Sequence, residues 1–135
     1  AFISVNDEDK PNVVPIARDL AALGFSLVAS RGTAAYLRAH DLKVDVVFKV
    51  NEGRPNVGDE LLNKKIDLIV NTPLGRESFF DDIAVRRIAM ILSVPCITTL
   101  TGAVATVSAI RAMRSEELVV RSLQEYHLQR TTSDV

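Results

Sequence analysis

Short apolar runs alternate with segments of helical period along nearly the whole of this 135-residue chain. The runs Ala1–Val5, Phe25–Ala29, Val44–Phe48, Ile66–Asn71 and Pro95–Thr99 predict strands. Between them, Val13, Ile16, Ala17 and Leu20 fall on one face of a helix ending near Leu23. Val85, Ile88, Ala89 and Leu92 do the same for a helix over Asp81–Ser93. Shorter helices are predicted over Thr33–Ala39 and Asp59–Asn63, and a last one over Gly102–Met113. Strands alternating with helices through short connections build a parallel sheet. The expected fold is therefore α/β, three-layered and Rossmann-like: an open, mainly parallel sheet of about five strands with helices on both faces.

Local signals refine this outline. Gly24 suits the left-handed stop of the first helix. Pro15 lacks an N–H and sits comfortably only if that helix begins near Asn12. The β-branched content of Val44–Phe48 is that of a buried parallel strand. Leu118–Leu123 would add a final edge strand. Gln124–Val135 reads as a polar tail, frayed beyond His127. One domain is expected over 1–126, with a tail over 127–135.

A hydrophobic content of 47% suffices for one buried core. The net charge of −1 gives no electrostatic case for nucleic acid or a membrane surface. Cys96 is the single cysteine, which excludes an intrachain disulfide and a cysteine zinc cluster; its apolar neighbours predict a buried thiol, not a nucleophile. No signal peptide or membrane-spanning run is seen, so a cytoplasmic, reducing setting is expected. His40 and His127 form no metal-ligand pattern, and no metal site is expected. The chain opens at Ala1 inside a strand-like run, as expected for a domain of a longer polypeptide.

Two strand-to-helix turns carry the functional signal. Ser30-Arg31-Gly32-Thr33 offers hydroxyls, a glycine and a helix N-terminus, which together suit a phosphate. The plain alternative is that Thr33 caps the helix and Gly32 makes the turn. Asn71-Thr72-Pro73-Leu74-Gly75-Arg76 closes another strand, where Asn71 could meet a base or ribose or hold its own loop. In an α/β chain both turns gather at the carboxyl edge of the sheet, the usual ligand edge. Lys10 and Lys49 belong to loops at that edge. Asp81-Asp82 opens a helix, where carboxylates favourably meet its dipole. Arg86 and Arg87 lie off the apolar stripe. There is no Walker loop, nucleophile elbow or dinucleotide fingerprint. The pattern predicts a pocket for an anionic, phosphorylated small molecule.

At these residues the chain resembles the methylglyoxal-synthase-like fold, and most closely the carboxy-terminal regulatory domain of the carbamoyl-phosphate synthase large subunit. The resemblance rests on Ile3-Ser4-Val5 with Asp9-Lys10, Gly24-Phe25, Gly32-Thr33-Ala34 and Lys49-Val50. It continues through Glu52-Gly53-Arg54-Pro55, Asn71-Thr72, Gly75-Arg76, Arg86-Arg87 and Thr98-Thr99-Leu100. It implies an allosteric domain that binds a nucleotide monophosphate, with UMP inhibiting and IMP or ornithine activating. The implied nucleotide pocket is Lys10, Ser30, Thr33, Lys49, Asn71 and Thr72, with Gly32 beside it. An ornithine site would use Asp81 and Thr98, but Cys96 replaces a tyrosine of ornithine-responsive members. The implied partners are the synthase domains of the same subunit and, through them, a glutaminase small subunit. No cofactor is implied in this domain; the whole synthase would use ATP with Mg or Mn and K, serving pyrimidine and arginine biosynthesis.

The rival within the fold is methylglyoxal synthase, a lyase acting on dihydroxyacetone phosphate. Alignment sets Arg54 where that enzyme has its catalytic aspartate, Thr72 at its second aspartate, and Phe79 or Phe80 near its histidine. A guanidinium stays protonated and cannot act as the base. On this reading the phosphate site is kept and the chemistry lost. A standalone effector-binding module of the same fold is a third reading.

Overall fold

A computed structural model describes residues 1–73, 79–117 and 119–133; for Phe79 and residues 129–133 the backbone alone is described. Five strands, β1 (Phe2–Val5), β2 (Val28–Ala29), β3 (Asp45–Val46), β4 (Ile69–Thr72) and β5 (Cys96–Ile97), form one parallel sheet in the order β3-β2-β1-β4-β5. The chain builds outward from β1 in one direction to β3, then returns to the other side of β1 for β4 and β5. That reversal puts the topological switch point between β1 and β4, which pair from Phe2↔Ile69 to Val5↔Thr72.

Alternation along the strands divides the core between the two faces. Ile3, Val5, Leu68 and Val70 join the cluster formed with α1 (Lys10–Ala22), α2 (Arg31–Ala39) and α5 (Leu100–Ser115). Phe2 and Ile69 face the other way, against α3 (Val57–Leu62) and α4 (Phe79–Ile91). Ile3, Leu20, Leu37 and Ile69 are fully buried, each worth about 1.5–3 kcal/mol against exposure. The three-layer α/β architecture expected from the sequence is the one observed.

Gly24 stops α1 as expected, at φ +93°. Its N–H reaches Ala21 O (3.0 Å) and Phe25 N–H reaches Leu20 O (3.1 Å), the paired bonds of a Schellman ending. The helix nonetheless begins at Lys10 and contains Pro15, against the expected start near Asn12. The cost is a single missing bond to the Pro11 carbonyl, in a helix whose opening turns already leave N–H groups unused.

Three other expectations are corrected. The strand hydrogen bonding is shorter than the apolar runs, and β3 is an edge strand with Asp45 and Val46 exposed. Residues 119–122 form no strand, and residue 118 lies outside the described set. In place of a frayed tail the chain forms α6 (Leu123–Ser133). Ser122 Oγ accepts the Glu125 N–H (3.3 Å), and Glu125 Oε2 accepts the Ser122 N–H (2.6 Å). That capping box, Ser-x-x-Glu, was written in the sequence and nucleates the helix despite its polar composition. The expected turn residues Leu74, Gly75 and Arg76 lie outside the described residues.

Candidate functional site

At the carboxyl ends of β1, β2 and β4 lies a cavity of about 500 Å³. Lys10, Ser30, Gly32, Thr33, Lys49, Asn71 and Thr72 all line it, so the sheet unites residues 62 positions apart in the chain. Its volume is in the range of small-molecule pockets.

One wall is the start of α2. Ser30 is the N-cap, in extended conformation, but its hydroxyl does not cap. Instead Ser4 Oγ donates to Ser30 Oγ (3.0 Å), and Ser30 Oγ donates to Thr33 Oγ1 (3.2 Å). Thr33 Oγ1 also accepts the Val5 N–H (3.2 Å). The reason lies in the sheet. Pairing of β1 with β2 ends at Ile3↔Ala29, because the chain turns into α2 after Ser30. Val5 would otherwise present a buried N–H with no strand beside it, and Thr33 fills that place. Thr33 thus bonds the sheet; it is not the simple helix cap of the plain alternative.

With the hydroxyls so engaged, the N–H groups of Arg31, Gly32 and Thr33 take no hydrogen-bond partner among the described residues; the Ala34 N–H closes the first turn on Ser30 O (2.8 Å). Three free donors at the positive end of a helix suit an anion. A Cβ on Gly32 would stand 3.4 Å from Lys10 Nζ, which fixes the ammonium beside this turn. Lys10 is ion-paired to exposed Asp7, whose carboxyl that bond holds below its ordinary range. Arg31 lies over the Phe48 ring at 5.5 Å. Lys49 lines the cavity with no ion pair among the described residues.

The opposite wall comes from β4, α4 and the turn after Lys49. Asn71 and Thr72 lie inside β4 and not after it. Thr72 Oγ1 accepts from the Asn6 backbone and side chain (both 3.3 Å), tying β4 to the β1–α1 turn. Asn71 Nδ2 donates to Asp82 Oδ1 (2.8 Å), and Asp81 Oδ1 accepts the Asn51 N–H (3.0 Å). Asp81 and Asp82 are both buried and both line the cavity. Reading the sequence missed Ser4, Asn6 and Asn51. Ser4 had a signal, being the polar residue in an apolar run; Asn51 had none, since its partner is thirty positions away.

Thr98 is exposed and does not line this cavity, whereas Asp81 does. Arg54 is absent from the cavity wall as well. Its side chain is 78% exposed and ion-paired with Asp59, beside a separate cavity of about 430 Å³ lined also by Asn56, Leu62 and Ile88. Asn56 caps α3 with its side chain (Gly58 N–H, 2.9 Å) while Asp59 Oδ2 takes the Asn56 N–H (2.9 Å), a box that turns Arg54 outward. The argument that a guanidinium occupies the place of a base is therefore overturned: the carboxylates of Asp7, Glu52, Asp81 and Asp82, and not Arg54, line the cavity. Cys96 is half-buried, and burial pushes its thiol up, away from thiolate chemistry. Arg86 and Arg87 are exposed. Among the described residues, no helix is long and apolar enough to cross a membrane.

The family profile of the MGS-like domain matches residues 12–98. The chain belongs to the MGS-like family. This MGS-like domain is 45% identical, over 93% of its length, to part of the carbamoyl phosphate synthase large chain of Nostoc sp.. It is 48% identical, over 94% of its length, to the "Carbamoyl phosphate synthase large chain, C-terminal section" of Methanopyrus kandleri. It covers 11% and 24% of those two chains. Its fold matches the crystal structure of methylglyoxal synthase from Elizabethkingia anophelis with a TM-score of 0.59, over 79% of this chain and 76% of that one, at 16% identity. The likeness to that enzyme is one of fold.

Proposed function

We propose that this domain binds a nucleotide monophosphate, UMP or IMP, and regulates a carbamoyl-phosphate synthase of which it forms part. The observation that carries the reading is the trio of free N–H groups at the start of α2, with Lys10 beside them and Lys49 lining the same cavity. These would take the phosphate. Asn71 and Thr72, across the cavity, would meet the ribose or base. The synthase context is supported by the 42–48% identity to carbamoyl phosphate synthase large chains. Regulation requires the nucleotide to favour one state of the whole enzyme, since equal affinity for two states shifts nothing. Arg54 no longer argues for the binding role; the free N–H groups and the two lysines of the cavity do.

Isothermal titration of this chain with UMP, IMP, ornithine and dihydroxyacetone phosphate tests the proposal. Nucleotide should bind, and Lys49→Ala should weaken it by about 1.5–3 kcal/mol, the range for a hydrogen bond to a charged group. Unchanged affinity in Lys49→Ala rejects that lysine as a phosphate ligand. Turnover of dihydroxyacetone phosphate would instead establish the lyase reading.

A further inference from the structure

Helix α4 is apolar on both of its sides. Val85 and Ala89 are buried in the cluster that contains Phe2 and Ile69 of the sheet. At about 100° per residue, Phe80, Ile83, Arg87, Met90 and Ile91 gather on the opposite side, within roughly a third of a turn. Phe80, Met90 and Ile91 are 80%, 76% and 72% exposed, and Ile83 is 42% exposed. Single exposed apolar residues are ordinary, but a helix that is apolar all round belongs with neighbours all round. The patch widens toward α3, where Leu62 is 60% exposed and, with Ile88, lines the cavity of about 430 Å³. Arg87 stands midway between Ile83 and Ile91, exposed and without an ion pair among the described residues. That charge selects among occupants. If α4 paired with α4 of a second copy about a two-fold axis, the centre of the patch would meet itself and Arg87 would face Arg87. An apolar surface carrying a carboxylate avoids the repulsion and gives Arg87 a partner.

We infer that the outer face of α4 is a docking surface whose occupant is the rest of the synthase polypeptide, through an apolar patch with a carboxylate set opposite Arg87. The inference rests on the synthase reading above. Relatives carry chain enough for it, since this domain covers only 11% and 24% of two carbamoyl phosphate synthase large chains. The position also suits regulation. Helix α4 opens with Asp81 and Asp82, which line the candidate nucleotide cavity, and Asp81 Oδ1 accepts the Asn51 N–H (3.0 Å) two residues after Lys49. One helix thus meets the effector site at its first turn and the partner along its length. A nucleotide that resets the first turn shifts the docked face with it.

Met90→Cys reports on the face directly, and at a position so exposed the substitution spares the core. Labelling by N-ethylmaleimide is followed by mass spectrometry in this chain alone and in the whole synthase polypeptide, with the wild type giving the Cys96 background. The new thiol should react about tenfold or more slowly in the whole polypeptide, because a covered site reacts only when the contact opens. Adding Arg87→Glu should bring the rate back to within about threefold of the isolated chain, while Arg87→Lys should keep the protection. Equal rates in the two forms overturn the inference, and protection that survives Arg87→Glu overturns the matched carboxylate. Sedimentation velocity of the isolated chain should show a monomer; a dimer dispersed by Ile83→Asp makes a second copy the occupant and overturns the inference as well. The synthase reading fails separately. A whole polypeptide that makes no carbamoyl phosphate sinks that reading and takes this inference with it, whereas a freely reactive thiol in an active, nucleotide-regulated synthase sinks the inference alone.

Discussion

Replacing Thr33 with valine separates what its hydroxyl does from what its bulk does. Valine fills almost the same volume, so no cavity opens at a residue that is 1% exposed. What disappears is the acceptor for the Val5 N–H, now 3.2 Å away. Val5 is itself buried, and the strand that would have satisfied it ended at Ala29. An orphaned buried donor costs about 1–3 kcal/mol, and the Ser30 hydroxyl loses its acceptor as well, though it can still accept from Ser4. Thr33→Val should therefore lower stability by about 1–3 kcal/mol, some 3–10 °C in Tm for a domain of this size. Thr33→Ser keeps the hydroxyl and loses one methyl, costing about 1 kcal/mol. Urea denaturation followed by circular dichroism measures both, with unchanged m-values showing that the native state is intact. Thr33→Val as stable as the wild type would refute the reasoning. So would Thr33→Ser falling as far as Thr33→Val, since packing and not the hydroxyl would then dominate.

Asn56→Ala should destabilise by about 1–2 kcal/mol in the same assay, because it strips the side-chain cap from the Gly58 and Asp59 N–H groups at the start of α3. The Arg54 guanidinium, together with the Asn56 N–H, holds the Asp59 carboxyl below its ordinary 3.8. A carboxyl depressed on folding adds stability above pH 3.8 that is lost as pH falls through the folded value. Arg54→Gln should raise the Asp59 midpoint seen by carboxyl NMR and flatten the acid-side loss of stability; an unmoved midpoint would show that the pair is broken in solution.

The fold was legible because β/α alternation and the Gly24 stop are local signals that agree with the global sheet. The position of Ser30-Arg31-Gly32-Thr33 at the carboxyl edge of the sheet followed from the same alternation. What the hydroxyls do there was not legible, since Thr33 answers to Val5, a strand 28 residues earlier. Arg54 was misjudged for a related reason. Its direction is set by the Asn56–Asp59 box, which a comparison of aligned positions does not see. Helix α6 is the opposite case: Ser122-x-x-Glu125 announced it, and the polar composition of the segment obscured the signal.

The cavity draws its walls from both helical layers, Lys10 and Gly32 from the side of α1 and α2, Asp81 and Asp82 from the side of α4. Those layers otherwise meet through the sheet that separates them. A molecule seated across the gap would act as a rivet at the open end of a sandwich, so that loosening either slice requires letting go of it. Amide protons of Leu20 on one side and Ala89 on the other, though they share no apolar cluster, would then slow together in exchange.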